Sequence, residues 1–203
     1  MKIDRQKQFL SLVVFMILYV VFGTLLHESG HIFIANCLNY SSLLHYGSMD
    51  WYLPNGEIGT NKTHSFYITI GGVVILDVIS LIALSMLVIF KTKLHRVVYW
   101  VLVFLAMLIY RHILLTLIGV SISAIQQTNL RYGSDEAEIA SFLSVDNSVI
   151  GVPFLIIALI SCHILFYQVL EPSIRKIFFW AMVVGGALGY ILWLFLLGPI
   201  LMP

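Results

Sequence analysis

Charge is scarce in this chain: 11 Lys/Arg and 10 Asp/Glu among 203 residues make 10% of the sequence, against about 25% in soluble domains. The missing charge is replaced by apolar residues, 60% of the total, so the surplus calls for lipid rather than a larger soluble core. The formal net charge of +1 says nothing about nucleic acid, and no basic tract suggests it, so no nucleic-acid partner is expected. Cysteine is equally sparse. Cys37 and Cys162 lie in apolar stretches without metal-ligand spacing and read as buried thiols of membrane helices. Seven scattered histidines are too few and too dispersed for a di-iron hydroxylase. Long polar segments are absent as well, so no tethered soluble sensor module is expected, and no internal repeat is evident.

What is present is a series of long apolar runs. A membrane-spanning helix needs about 20 mostly apolar residues, and five stretches qualify: about 9–38, 66–90, 97–125, 149–170 and 177–201. The expected fold is an all-α polytopic membrane protein, a single membrane-embedded domain over 1–203. Lys2, Arg5 and Lys7 precede the first run as they would in a signal peptide. The run from Phe9 to Leu26 is longer than a signal core and lacks a small-x-small cleavage site, so it reads as a retained helix. Gly71-Gly72 and Gly185-Gly186 allow close helix contact, because lipid-embedded helices associate through small residues.

Basic residues set the expected orientation. With a cytoplasmic N-terminus, Lys2, Arg5, Lys7, Lys91, Lys93, Arg96, Arg175 and Lys176 fall inside, and only Lys62 and Arg131 fall outside. His27 then lies 18 residues beyond Phe9, roughly 27 Å along the helix and near the outer edge of the hydrocarbon. The loop at about 126–147 reaches the same side. The polar stretch 41–65 carries a turn signal at Pro54-Asn55-Gly56 between short segments with Trp51, Tyr52, Leu53 and Ile58. It reads as a small hairpin or re-entrant loop between helices 1 and 2, covering the outer site.

The chemistry starts at His27-Glu28-Ser29-Gly30-His31, an HExxH pattern on a helix. Histidines at i and i+4 share one face and can grip one zinc ion, with Glu28 placed as general base. Ionisable residues are costly near lipid, which argues against coincidence. A catalytic zinc usually takes a third protein ligand. The candidates are Asp135 and Glu136 in the outer loop, with Ser134 as N-cap of a short helix from about Asp135 to Leu143, and Asp77, His112 and His163 within the spans. Depth favours Asp135, since Asp77, His112 and His163 sit further inward along their helices; Glu136 is the reserve.

LLHESGHIFIANCLN resembles the metal-binding helix of the site-2 protease family of intramembrane zinc metalloproteases. SDEAEIASFLS with Val152-Pro153 resembles the second motif of that family's short, bacterial-type branch. The Gly71-Gly72 helix start is similar to the family's glycine-containing helix after its hairpin. The likeness spans roughly residues 20–155. It implies Asp135 as third ligand of one Zn²⁺ per chain, and cleavage of a membrane protein or peptide substrate within or beside the bilayer. The asparagine-proline and LDG motif of longer members has no counterpart here, leaving the oxyanion-stabilising residue unassigned. The substrate has to be unwound, and the hairpin offers an edge on which it can lie as an added strand. Substrate selection falls to the helices, the hairpin or a regulatory membrane partner.

Several polar residues carry a second expectation. Asp77 is expected to pair with Arg111 or His112, and Arg111-His112 can also supply a transition-state hydrogen bond. His45 and His64 read as solvated loop residues, and His163 as a bonded core histidine. Glu136 and Glu138 suit the first turn of a helix. Asn36, Asn39, Asn129 and Asn147 are not ranked as oxyanion donors. Trp51, Tyr52, Tyr99, Trp100, Tyr132 and Trp180 fit interfacial belts. Two alternatives stand beside the protease: a prenyl-protein-type membrane metalloprotease using Glu136 or Glu138 as third ligand, and a non-catalytic membrane scaffold or chaperone. The intact Glu28 speaks against the scaffold.

Overall fold

The computed structural model describes residues 5–126 and 133–202. Lys2, Asn129, Arg131 and Tyr132 therefore lie outside the described residues. Among the described residues five helical stretches are long and apolar enough to cross a membrane: Arg5–Cys37, Lys62–Phe90, Arg96–Gln126, Asn147–Val169 and Pro172–Leu201. The chain is an all-α polytopic protein with one small two-stranded sheet. The spans begin earlier than expected where polar first turns extend the apolar run: α1 is Arg5–Cys37, α2 is Lys62–Phe90, and the last span opens at Pro172 rather than near Ile177. Asn61 caps α2 by accepting from the Thr63 and His64 amides. Pro172 suits the first turn of its helix, where no amide partner is needed.

The third span is not continuous. It comprises α3 (Arg96–Ala106), a 3₁₀ stretch at Met107–Tyr110 and α4 (Arg111–Gln126). Neither proline nor glycine marks this break. Its cause lies in α2, where the buried Ser80 hydroxyl donates to Ala106 O at 2.6 Å and accepts from the Ile109 amide at 3.3 Å. A hydroxyl inserted into a helical ladder is a recognised source of such a break. Arg111 and His112 follow it directly.

The short helix α5 (Ser134–Leu143) precedes α6 (Asn147–Ile164), which contains Pro153 and continues as a π segment at Leu165–Val169. The last span is α7 (Pro172–Ile191), a π segment at Leu192–Leu197 and α8 (Gly198–Leu201). Gly133, not Ser134, holds the N-cap position of α5 and makes no side-chain cap bond; Ser134 opens the helix. Gly185 meets α1, where an added Cβ would lie 2.6 Å from Met16 Cβ, and Gly189 meets Val20 in the same way at 2.9 Å. Gly186 has nothing within 4 Å, so the close contact is a Gly-x-x-x-Gly pair rather than the adjacent doublet. Cys37 is exposed and Cys162 half-buried, both free, so Cys37 departs from the expected burial because it sits at the final residue of α1.

Between α1 and α2, β1 (Ser41–Leu44) pairs antiparallel with β2 (Met49–Tyr52), in the register Ser41↔Tyr52 to Leu44↔Met49. The hairpin turn falls at 45–48, not at Pro54-Asn55-Gly56. The latter forms a second turn that returns Ile58 to bridge Tyr52. The first turn is anchored to the last span: Trp193 Nε1–H donates to Tyr46 O at 2.7 Å, and the Tyr46 amide reaches Met202 O at 3.3 Å.

Candidate metal centre

The C-terminal third of α1 brings His27, Glu28 and His31 together; all three are buried, and one ligand atom from each lies within 4.8 Å of the others. This group can hold a metal ion. His27 Nε2 and His31 Nε2 are 3.0 Å apart, as one face of an i, i+4 pair requires. The first turn of α5 brings an oxygen to the two nitrogens: Asp135 Oδ2 lies 2.7 Å from His27 Nε2 and 3.9 Å from His31 Nε2. At this convergence Asp135 Oδ2 is buried without a well-formed hydrogen bond, while His27 Nδ1, on the other side of its ring, is buried with no partner among the described residues. Buried polar atoms normally find partners, so lone pairs converging without bonding mark a cation-shaped gap.

The ring of His31 is oriented from behind. Its Nδ1 lies 2.7 Å from Ile68 O and 3.3 Å from the Gly72 amide. The shorter contact decides the tautomer: Nδ1–H donates to the Ile68 carbonyl, leaving the Nε2 lone pair for a metal. Gly72 makes this approach possible. A Cβ there would stand 2.3 Å from His31 Nε2 and 2.8 Å from His27 Cε1. Gly30 does not face the metal side but meets α2, where its Cβ would be 2.6 Å from Gly71 O.

Burial raises the Asp135 carboxyl, but His27, then Arg111 and His31, outweigh it and hold the group well below the usual carboxylate range. Arg111 Nη2 is 3.6 Å from Asp135 Oδ2, while Nη1 is buried with no partner among the described residues. A cavity of about 260 Å³ opens here, with Glu28, Arg111, Asp135 and Glu138 on one side and Met49 and Trp51 of the hairpin on the other.

Asp77 and His112 connect to α5 through Glu136, the residue next to Asp135. His112 bridges two carboxylates, Nε2 to Asp77 Oδ1 at 2.9 Å and Nδ1 to Glu136 Oε1 at 2.8 Å, and stacks on Phe154. Asp77 thus pairs with His112, not Arg111. Glu136 is buried against His112 rather than beside the imidazole pair, and burial raising its pKa is outweighed by the His112 bond. Glu138 accepts from Ser65 Oγ at 2.6 Å, tying α5 to the start of α2. His45 contacts Asp50 at 3.2 Å, His64 Nδ1 lies 2.6 Å from Tyr40 Oη, and His163 packs on Tyr167; none of the three lines the cavity.

Sequence reasoning missed Ser80 as the cause of the helix break and Gly72 as a surface for the imidazoles. The doublet at Gly71-Gly72 was the available signal for the latter. A solitary serine in an apolar helix gave no comparable sign. No protein-family profile, curated protein or solved structure matches this chain.

Proposed function

We propose that the chain is a membrane zinc metalloendopeptidase that hydrolyses peptide bonds of membrane-associated substrates, with the zinc held by His27, His31 and Asp135. The observation that carries this is the triangle of His27 Nε2, His31 Nε2 and Asp135 Oδ2, with edges of 2.7, 3.0 and 3.9 Å. Three ligands at zinc distances of about 2.0–2.2 Å in tetrahedral geometry stand roughly 3.3–3.6 Å apart, so the 3.0 and 3.9 Å edges need to change by roughly 0.3–0.6 Å and the 2.7 Å edge has to open by roughly 0.6–0.9 Å for the donors to surround the ion. Two neutral imidazoles and one carboxylate leave the fourth position open, as in catalytic rather than structural sites. The chemistry supplied by zinc in such a donor set is Lewis acidity towards water and a carbonyl oxygen.

The rest falls to the protein's own groups. Glu28 takes a proton from water as the water oxygen bonds to the scissile carbon, and the carbonyl π pair moves to its oxygen. The C–N bond then breaks as Glu28 passes that proton to the leaving amine, giving a carboxylic acid and an amine. Arg111, which lines the cavity and whose Nη1 has no partner among the described residues, is the cation available to the oxyanion. The hairpin roofs the cavity through Met49 and Trp51, and the outer edge of β1 has no neighbouring strand among the described residues. An unwound substrate segment can pair there as an added strand.

Glu28→Gln tests the proposal. Purified in detergent, the variant is expected to keep about one zinc per chain and to lose cleavage of a membrane-anchored reporter. Cleavage at the wild-type rate in Glu28→Gln, or a wild-type protein that binds no zinc, would overturn the assignment.

A further inference from the structure

The end of the bundle remote from the metal centre carries a second site. Arg5 and His27 are 22 residues apart on one helix, about 33 Å along its axis. There a cavity of about 710 Å³ is lined by Arg5, Lys91, Arg96, Tyr99, Glu171 and Ser173 among others. Three cations face one carboxylate, a local balance of 3 − 1 = +2. Among the described residues no carboxylate lies within salt-bridge distance of Arg5, Lys91 or Arg96. The Lys91 ammonium donates to the Gln168 carbonyl. Two helices begin beside this cavity, α3 at Arg96 and α7 at Pro172; His95 caps the first by accepting from the Val97 amide, whereas Glu171 offers α7 no side-chain cap. The cluster of cations, with the uncapped start of α7 beside it, favours an anion, above all a phosphate.

Two apolar grooves leave the cavity. One, about 390 Å³, runs between α1 and α3 past Phe15, Val97, Trp100 and Phe104 and shares Arg96 and Trp100 with the cavity. The other, about 500 Å³, runs between α1 and α7 past Phe9, Trp180 and Val184 and shares Arg5 and Ile177 with it. Phe104 lies eight residues beyond Arg96 and Val184 eight beyond Lys176, about 12 Å of helix, close to the roughly 15 Å hydrocarbon depth of one leaflet. We infer that this end of the bundle binds one anionic diacyl phospholipid, its phosphate in the Arg5–Lys91–Arg96 cavity and its two acyl chains in the grooves flanking α1. A soluble anion would make no use of the grooves. A zwitterionic lipid would bring its own cation against the +2 balance.

Trp100 and Trp180 each line one groove and serve as reporters. The full chain is reconstituted in phosphatidylcholine nanodiscs and titrated with phosphatidylglycerol brominated on its acyl chains, a tryptophan quencher. Brominated phosphatidylglycerol is expected to quench saturably at a lower mole fraction than brominated phosphatidylcholine. The excess should be lost in Trp100→Phe/Trp180→Phe. Arg5→Gln/Arg96→Gln should weaken the interaction about 25-fold, roughly five-fold per cation. Lys62→Gln, at the other end of the bundle, should leave it unchanged. In the wild type the excess should also fall as salt is raised, which tests the charge requirement without any substitution. Equal quenching by the two lipids, or undiminished excess in the arginine variant, overturns the inference. So does its abolition by millimolar inorganic phosphate at constant ionic strength, which would mark a phosphate site rather than a lipid site.

Discussion

Replacing Gly72 by alanine should damage the candidate metal centre without replacing any of its proposed ligands. The added Cβ would stand 2.3 Å from both Cε1 and Nε2 of His31 and 2.8 Å from Cε1 of His27. Non-bonded carbons settle at about 3.5–4.0 Å, so the imidazoles and α2 must separate by roughly 1.2 Å. Metal–ligand distances tolerate only about ±0.2 Å. His31 cannot simply swing away, because its Nδ1–H is tied to Ile68 O at 2.7 Å. Overpacking of this kind costs about 1–3 kcal/mol of stability, and loss of an outer-shell orienting contact weakens metal binding by about 10–100-fold. The upper end of that range is expected here, since two rings are displaced together. The control is Gly186→Ala, a glycine in another span with nothing within 4 Å; it should be neutral or stabilising by up to about 1 kcal/mol. The assay is zinc competition against a chromophoric chelator on detergent-solubilised protein, read beside thermal unfolding. Wild-type zinc affinity in Gly72→Ala would refute the placement of α2 against the imidazoles.

Arg111→Met should lower kcat/KM for a membrane-anchored peptide by about 10²–10³-fold with zinc content retained, whereas Arg111→Lys should keep part of the rate; loss of zinc in step with activity would mean that Arg111 serves only to hold Asp135. Ser80→Ala leaves the Ala106 carbonyl and Ile109 amide without their bridging hydroxyl and should cost about 1–3 kcal/mol in thermal or denaturant unfolding. Trp193→Phe removes the indole donor to Tyr46 O and should speed hydrogen exchange across residues 45–48, measured by mass spectrometry, with zinc affinity unchanged.

The spans were legible because lipid imposes a length and polarity requirement that each apolar run meets by itself. His27, Glu28 and His31 were legible for a related reason: their shared face follows from helix geometry alone and needs no distant residue. Asp135 emerged more indirectly, from the side of the membrane on which its loop should lie. The departures share a different cause. A helix apolar around its whole circumference does not announce which side meets protein, so rotation about each axis is set by packing. That is why the adjacent glycines at 185–186 concealed a Gly185/Gly189 contact, and why Gly72 proved to abut the imidazoles. Turn chemistry at Pro54-Asn55-Gly56 located a real turn but not the main hairpin, whose turn at 45–48 is held by Trp193 from the far end of the chain.

The sequence by itself therefore determined a membrane-embedded helical protein and the two-histidine, one-glutamate face of α1, because both depend on local composition and helical period. Tertiary structure decided which carboxylate lies against the two imidazoles. Asp135 and Glu136 are neighbours in one helical turn, with nearly the same chemistry and depth. Only the docking of α5 separates them, turning Asp135 towards the imidazoles and Glu136 onto the ring of His112.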